Sequence, residues 1–194
     1  TLPVIGSRVL PKFIGRFADR YPECAIRIDV SPSFTISDLV RARKYDLGIT
    51  TLPIEQRGLE THAIAKSEHV CILPRDHPLG SRDLVTPQDL AGERFISYPA
   101  ESSTRRRIDA IFEAQGVQRK TTLEAQTDTI CELVANGAGV SVVSCVLPES
   151  LTQGPLIWRR FRPRIETEIV AVRHPEQPRS RISTLFVEEL QRFG

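Results

Sequence analysis

Four groups of hydroxyl and acid side chains stand between strand-like and helix-like runs: Ser7, Ser33 to Thr35, Ser102-Ser103-Thr104 and Thr127-Asp128-Thr129. A helix start carries N–H groups without intrahelical partners and the positive end of the helix dipole, so it suits a carboxylate. Each group alone is accounted for by N-capping, which nearly every helix needs and which is worth about 1 kcal/mol. As a set they point further. They fall two per half of the chain, and the strand-end pair Thr50-Thr51 adds hydroxyls of the same kind. In open α/β sheets such positions share the carboxyl edge, where ligands bind. The chemistry indicated is recognition rather than catalysis. Asp128 is the one acid among these starts, and it either receives an ammonium or guanidinium or simply caps its helix.

The elements that must position these groups follow from periodicity. The stretch 123–144, LEAQTDTICELVANGAGVSVVS, predicts a strand, a polar break, a helix with Ile130, Leu133 and Val134 inward, a glycine-rich stop at Gly137 and Gly139, and a buried strand over Val140–Val143. Ahead of it, the pattern predicts a strand at Leu2–Ile5 and a helix striped by Val9, Leu10, Phe13, Ile14 and Phe17. It then predicts a strand at Ala25–Val30, a helix through Ile36, Leu39 and Val40, and a strand at Leu47–Thr50. Strands at His69–Leu73, Arg94–Ser97, Leu156–Phe161 and Glu166–Arg173 follow, with a one-turn helix at 86–90, a helix on Ile108, Ile111 and Phe112, and a last helix on Ile182, Leu185, Phe186, Leu190 and Phe193. The alternation is that of an α/β protein with two lobes, joined by the strands near 69–74 and 166–173.

Several function classes find no support. A formal charge of +2 over 194 residues, with no interleaved stacking aromatics around Arg105-Arg106-Arg107 or Arg159 to Arg164, does not indicate a nucleic-acid surface. His62, His69, His77 and His174 lack metal-ligand spacing, so no metal is expected. GxSxG, P-loop and GxGxxG motifs are absent; no catalytic residue and no cofactor is expected, and the protein reads as not an enzyme. No apolar run approaches the roughly 20 residues of a membrane span, and no secretory leader is visible. Cys24, Cys71, Cys131 and Cys145 form no CxxC pair and read as reduced thiols, which places the protein in the cytoplasm. A chain beginning at Thr1 with no Met reads as processed or as part of a longer protein.

Six segments in order resemble the effector-binding domain of LysR-type transcriptional regulators. They are LPKFIGRFADRYPECAIRI at 10–28, RARKYDLGI at 41–49, EHVCILPRDHPL at 68–79, LVTPQDLAGERFIS at 84–97, ICELVANGAGVSVVS at 130–144 and LIWRRFRP at 156–163. The second half looks closest to members that sense amino acids or opines. The resemblance implies an α/β fold of two Rossmann-like lobes joined by two crossover strands, the type II periplasmic-binding-protein fold. Lobe I would be residues 1–72 with a return at 171–194, and lobe II residues 73–170. It implies a small-molecule effector in the interlobe cleft, contacted by Ser7, Ser33, Phe34, Thr50, Thr51, Ser102, Ser103, Thr104, Thr127, Asp128 and Ser144. Cys145 departs from the Asn or Asp that tends to follow this strand in the family, which affects the pocket floor near Ser144. The resemblance further implies an N-terminal winged helix-turn-helix that alone would read DNA and that this chain lacks. A homodimer through the Val9–Phe17 helix and the strand at 25–30, and a tetramer in the full-length protein, are also expected. The alternatives are a free-standing solute-binding protein of a transporter, or an enzyme on a related bilobal scaffold.

Overall fold

The computed structural model describes residues 1–144, 152–177 and 180–193. These form two units, one of Thr1–Ser67 with Thr167–Gly194 and one of Glu68–Glu166. The chain passes between them twice, once inside a long strand at Ser67 and Glu68 and once at the start of another at Glu166 and Thr167.

Unit 1 opens with two helices, α1 (Pro3–Arg8) and α2 (Leu10–Arg20), each carrying a proline in its first two positions. Proline there loses nothing, because its missing N–H would have had no intrahelical partner. This corrects the expected strand at Leu2–Ile5: Pro3 starts a helix instead. On α2 the residues Leu10, Phe13 and Phe17 are buried, and Phe13 meets Phe186 edge-on at 4.9 Å between ring centroids. The apolar stripe expected to serve self-association is therefore spent within unit 1, and the outer face of α2 shows Lys12, Arg16 and Asp19. The expected strand at 25–30 is also corrected, since among the described residues this segment belongs to no sheet ladder. α3 (Ser33–Arg41) packs Ile36 and Val40 on β1 (Gly48–Thr51). Gly48 makes that approach possible: a Cβ there would lie 2.6 Å from Ile36 Cγ2 and 2.8 Å from Val172 Cγ2. β1 pairs antiparallel with β8 (Glu166–Arg173), from Gly48 opposite Val172 to Thr51 opposite Ile169. β8 neighbours the first part of β2 (Glu60–Pro74), and α6 (Arg181–Phe193) completes the unit.

In unit 2 the second part of β2 lies antiparallel to both β6 (Ser141–Ser144) and β7 (Leu156–Phe161), and β7 runs parallel to the short β3 (Leu84–Val85). The expected one-turn helix is a 3-10 turn at Gln88–Leu90, held by the Asp89 carboxylate, which accepts from the Thr86 N–H at 2.9 Å and hydroxyl at 2.8 Å. β4 (Arg94–Ser97), α4 (Ser103–Ala114), β5 (Lys120–Glu124), α5 (Thr127–Ala135) and β6 then alternate as the sequence predicts. β4 pairs parallel with β5, and a parallel bridge joins Phe95 to Val140 just before β6. Gly139 permits that bridge, because a Cβ at this position would fall 2.2 Å from the Arg94 carbonyl oxygen. Ile72, Leu73, Phe95, Ile96, Ile108, Phe112, Ile130, Val134 and Phe161 fill the core. Burying each side chain of this size contributes roughly 1.5–3 kcal/mol.

Candidate functional site

The parallel strands of unit 2 bring their carboxyl ends to one edge, and the polar groups of the site are built on it. β4 ends at Ser97-Tyr98, β5 leads through Ala125 and Gln126 into α5, and β6 ends at Ser144. The edge is stitched by the Ala125 N–H donating to the Ser97 carbonyl at 2.9 Å. Ser102 occupies the cap position of α4, with Ser103 and Thr104 in its first turn, and all three are half-buried. Gln126 occupies the cap position of α5, and Thr127 and Asp128 are its first helical residues. Neither helix start is closed by a side-chain cap hydrogen bond. At α4 the Ser102 side chain at the cap position therefore makes no cap bond, and at α5 the cap position is held by Gln126 rather than by one of the predicted side chains. The N–H groups of both starts stay directed out of the carboxyl edge with the positive end of each dipole.

Two residues at this edge escaped the sequence reading. Ser97 is fully buried and its Oγ has no hydrogen-bond partner among the described residues. Tyr98, 5% exposed, sets its hydroxyl 3.1 Å from Thr127 Oγ1 and also bonds the backbone of Ser144, which ties the ends of β4 and β6 to the start of α5. Burial pushes the Tyr98 phenol well above its ordinary range, so it stays protonated and able to donate. The available signal was a tyrosine placed directly after an apolar strand and four residues ahead of the hydroxyl run, but aromatic character masked it as core. Arg105 is likewise not a solvated cation. It donates to Asp109 at 2.8 Å, to Glu124 at 2.7 Å and to the Tyr98 carbonyl at 2.9 Å, holding the loop before α4 against β5.

In unit 1 the predicted positions divide. Thr50 is fully buried near the carboxyl end of β1, and its Oγ1 has no hydrogen-bond partner among the described residues; Thr51 beside it is half-buried. Ser33 and Phe34 begin α3, whose cap position is Pro32, and Phe34 is 60% exposed. Ser7 does not stand at a helix start. It lies in the last turn of α1, exposed, with its hydroxyl 3.5 Å from the Val4 carbonyl, because Pro3 moves the helix start upstream. A buried hydroxyl without a partner costs about 1–3 kcal/mol, so Thr50 and Ser97 are positions where stability yields to some other requirement. Cys145, expected to alter the pocket floor, lies outside the described residues.

Among the described residues no group of three or more His, Cys, Asp or Glu side chains could hold a metal ion, and no helix is long and apolar enough to cross a membrane. Among the described residues Cys24, Cys71 and Cys131 form no disulfide, and burial raises the pKa of Cys71 far above the reactive range.

Two α/β units joined by two strand passages, with ligand-type polar groups on carboxyl edges, define a domain of the type II periplasmic-binding-protein fold. The family comparison is specific: residues 1–194 match the LysR substrate binding domain, and the chain belongs to that family. It is 29% identical over 191 residues to the transcriptional activator protein LysR of Escherichia coli K12, covering 98% of this chain and 61% of that protein. It is 32% identical over 189 residues to the regulatory protein NocR of Agrobacterium tumefaciens T37, covering 96% of this chain and 62% of that protein. The chain thus spans about three-fifths of the length of these relatives. Among solved structures, the CcmR regulatory domain of Synechocystis PCC6803 in complex with 2-PG superposes with a TM-score of 0.88 at 23% identity, over 98% of this chain and 93% of that one. The effector binding domain of QuiR in complex with shikimate gives 0.83 at 22% identity, over 100% and 93%. At these identities the likeness to solved structures concerns the fold.

Proposed function

We propose that this chain is the sensing part of a cytoplasmic LysR-type regulator and that its effector is a small, amino-acid-like carboxylate. The observation that carries this reading is the pair of uncapped helix starts, α4 and α5, on the carboxyl edge formed by β4, β5 and β6. N–H groups there and the hydroxyls of Ser102, Ser103, Thr104 and Thr127 suit a carboxylate, and Asp128 suits an ammonium or guanidinium. The half-buried end of β6 at Ser144 closes the same edge. In unit 1, Thr50, Thr51, Ser33 and Phe34 are the matching contacts, while Ser7 is the weakest member because it sits inside a helix rather than at its start. Kinship with NocR and with the E. coli activator supports regulation rather than catalysis. The fold shared with domains solved with 2-PG and with shikimate supports a small ligand.

The mechanism is a population shift: the effector favours one arrangement of the domain by the contacts it makes only there, and a DNA-binding segment of the longer protein reads that shift. Self-association belongs to the same proposal. Its surface is the polar outer face of α2 with the 25–30 segment, where Ile28 and Val30 are exposed, rather than the buried stripe of α2. Calorimetry with basic amino acids, opines, aromatic acids and sugars tests the ligand class. Heat from the zwitterions alone is the expected result, and binding confined to sugars or aromatic acids removes the proposal.

A further inference from the structure

Arg105 stands in the first turn of α4, where the positive end of the helix dipole disfavours a cation. It is the third helical residue, the position from which a Glu or Gln reaches back to close a helix start. The arginine instead turns away from the start and serves three segments at once, with its side chain 18% exposed. Its Nε donates to both Asp109 oxygens, at 3.0 and 2.8 Å, one turn further along α4. Its Nη1 donates to the Tyr98 carbonyl at 2.9 Å, ahead of α4, and to the Glu124 carboxylate at 2.7 Å, at the end of β5. Glu124 stands opposite Ser97 in the β4–β5 ladder and three residues ahead of Thr127, the first residue of α5. One guanidinium therefore ties the start of α4 to the strand that leads into α5. Arg119 supports it from behind. That side chain pairs with the Asp109 carboxylate, is 7% exposed, and lies 4.7 Å from the ring centroids of both Phe95 and Phe112 in the core.

We infer that Arg105 is a positioning residue for the effector edge of unit 2: it sets the spacing between the starts of α4 and α5, and through that spacing the affinity for a carboxylate. The inference rests on the carboxylate reading above. Arg105 and Arg119 balance Asp109 and Glu124 in charge, so the guanidinium acts as a support and not as the partner of the bound anion. Donors on two separate helices hold one anion well only when their mutual placement is kept within about 0.5 Å. The fork of Arg105 supplies that placement, because it meets a carbonyl ahead of one helix and a carboxylate ahead of the other in a single plane. A lysine at this position keeps the charge but lacks the planar fork, and cannot serve Tyr98, Asp109 and Glu124 in one geometry.

Calorimetry and amide NMR on the protein and on Arg105→Met, Arg105→Lys and Glu124→Gln test this, with L-arginine, L-lysine and octopine as probes, each beside its methyl ester. Both Arg105 variants should bind the acid at least about tenfold more weakly while the ester is little affected, so that the preference for the acid collapses. Glu124→Gln, at a side chain 46% exposed, should fold normally and lose acid affinity in the same sense. Without ligand, Arg105→Met should shift the amides of Thr127 and Asp128 on α5, although the substitution lies on α4. Equal losses for acid and ester mark a merely structural role and overturn the inference. Acid affinity kept by Arg105→Lys but lost by Arg105→Met means that the charge itself acts on the ligand, and overturns it too. If the unsubstituted protein binds none of the acids, the carboxylate reading fails and the role of Arg105 falls with it. If it binds an acid and the variants bind that acid as tightly, the role of Arg105 alone is overturned.

Discussion

His69 makes the stability of unit 2 depend on pH in a definite direction. Its side chain is 2% exposed on β2, and its Nδ1 lies 3.2 Å from the Ile165 carbonyl, which also accepts the His69 backbone N–H at 2.9 Å. That carbonyl acceptor makes Nδ1 the protonated nitrogen of a neutral ring. Burial lowers the imidazole pKa from 6.5 to about 4; the Ile165 bond opposes this and the Arg107 guanidinium adds to it. In that interval the unfolded chain binds a proton that the folded chain refuses, so stability rises with pH. The contribution is complete above the unfolded value and is lost as pH falls toward the folded one. With about 1.36 kcal/mol for each pH unit and proton, going from pH 7 to pH 5 removes about 2 kcal/mol through this group. His69→Asn keeps a donor near the Nδ1 position and removes the titration. Urea unfolding at the two pH values should therefore show the variant about 2 kcal/mol less sensitive to acid than the parent. An unchanged pH difference between the two proteins refutes the reasoning.

Removing the hydroxyl in Tyr98→Phe leaves Thr127 Oγ1 buried and without that partner, and should cost about 1–2 kcal/mol in denaturant unfolding, with Thr127→Val recovering part of it in the double variant. Gly139→Ala forces a Cβ into the Arg94 carbonyl and should cost about 3 kcal/mol or more, read as a large drop in Tm or in soluble yield. Cys71 and Cys131, 0% and 1% exposed, should resist a thiol reagent in the native protein and react only on unfolding, as followed by mass spectrometry. Asp128→Asn should keep α5 folded by circular dichroism yet weaken a cationic ligand by about tenfold in calorimetry, the loss of one charge-assisted contact.

The second half of the fold was legible because its signals are local. Period-3.6 stripes on Ile108 and Phe112 and on Ile130 and Val134, the stop at Gly137 and the apolar run at 140–143 each specify an element without tertiary help. The first half misled at two places for physical reasons. Leu2–Ile5 has strand composition, but Pro3 removes an N–H that a ladder would use and that a helix start does not need. Ala25–Val30 alternates as a strand should, yet a strand needs neighbours on its edges, and alternation says nothing about whether they are present. At the candidate site the hydroxyl positions could be read from sequence because helix starts favour them. The absence of a cap bond from the Ser102 and Gln126 side chains could not, since that depends on local backbone geometry. Tyr98 was missed because an aromatic after an apolar strand reads as core, and its polar role lies in one hydroxyl placed by the end of β6 and the start of α5.

The central claim, that the uncapped starts of α4 and α5 receive the carboxylate of a small effector, is tested most directly by an amide NMR titration with an amino-acid or opine ligand and its methyl ester. The account predicts saturable shifts at the amides of Ser103, Thr104, Thr127 and Asp128 with the acid, and at least about tenfold weaker binding of the ester, which lacks the charge. Equal affinity for acid and ester, or saturable shifts that leave those four amides unmoved, contradicts it.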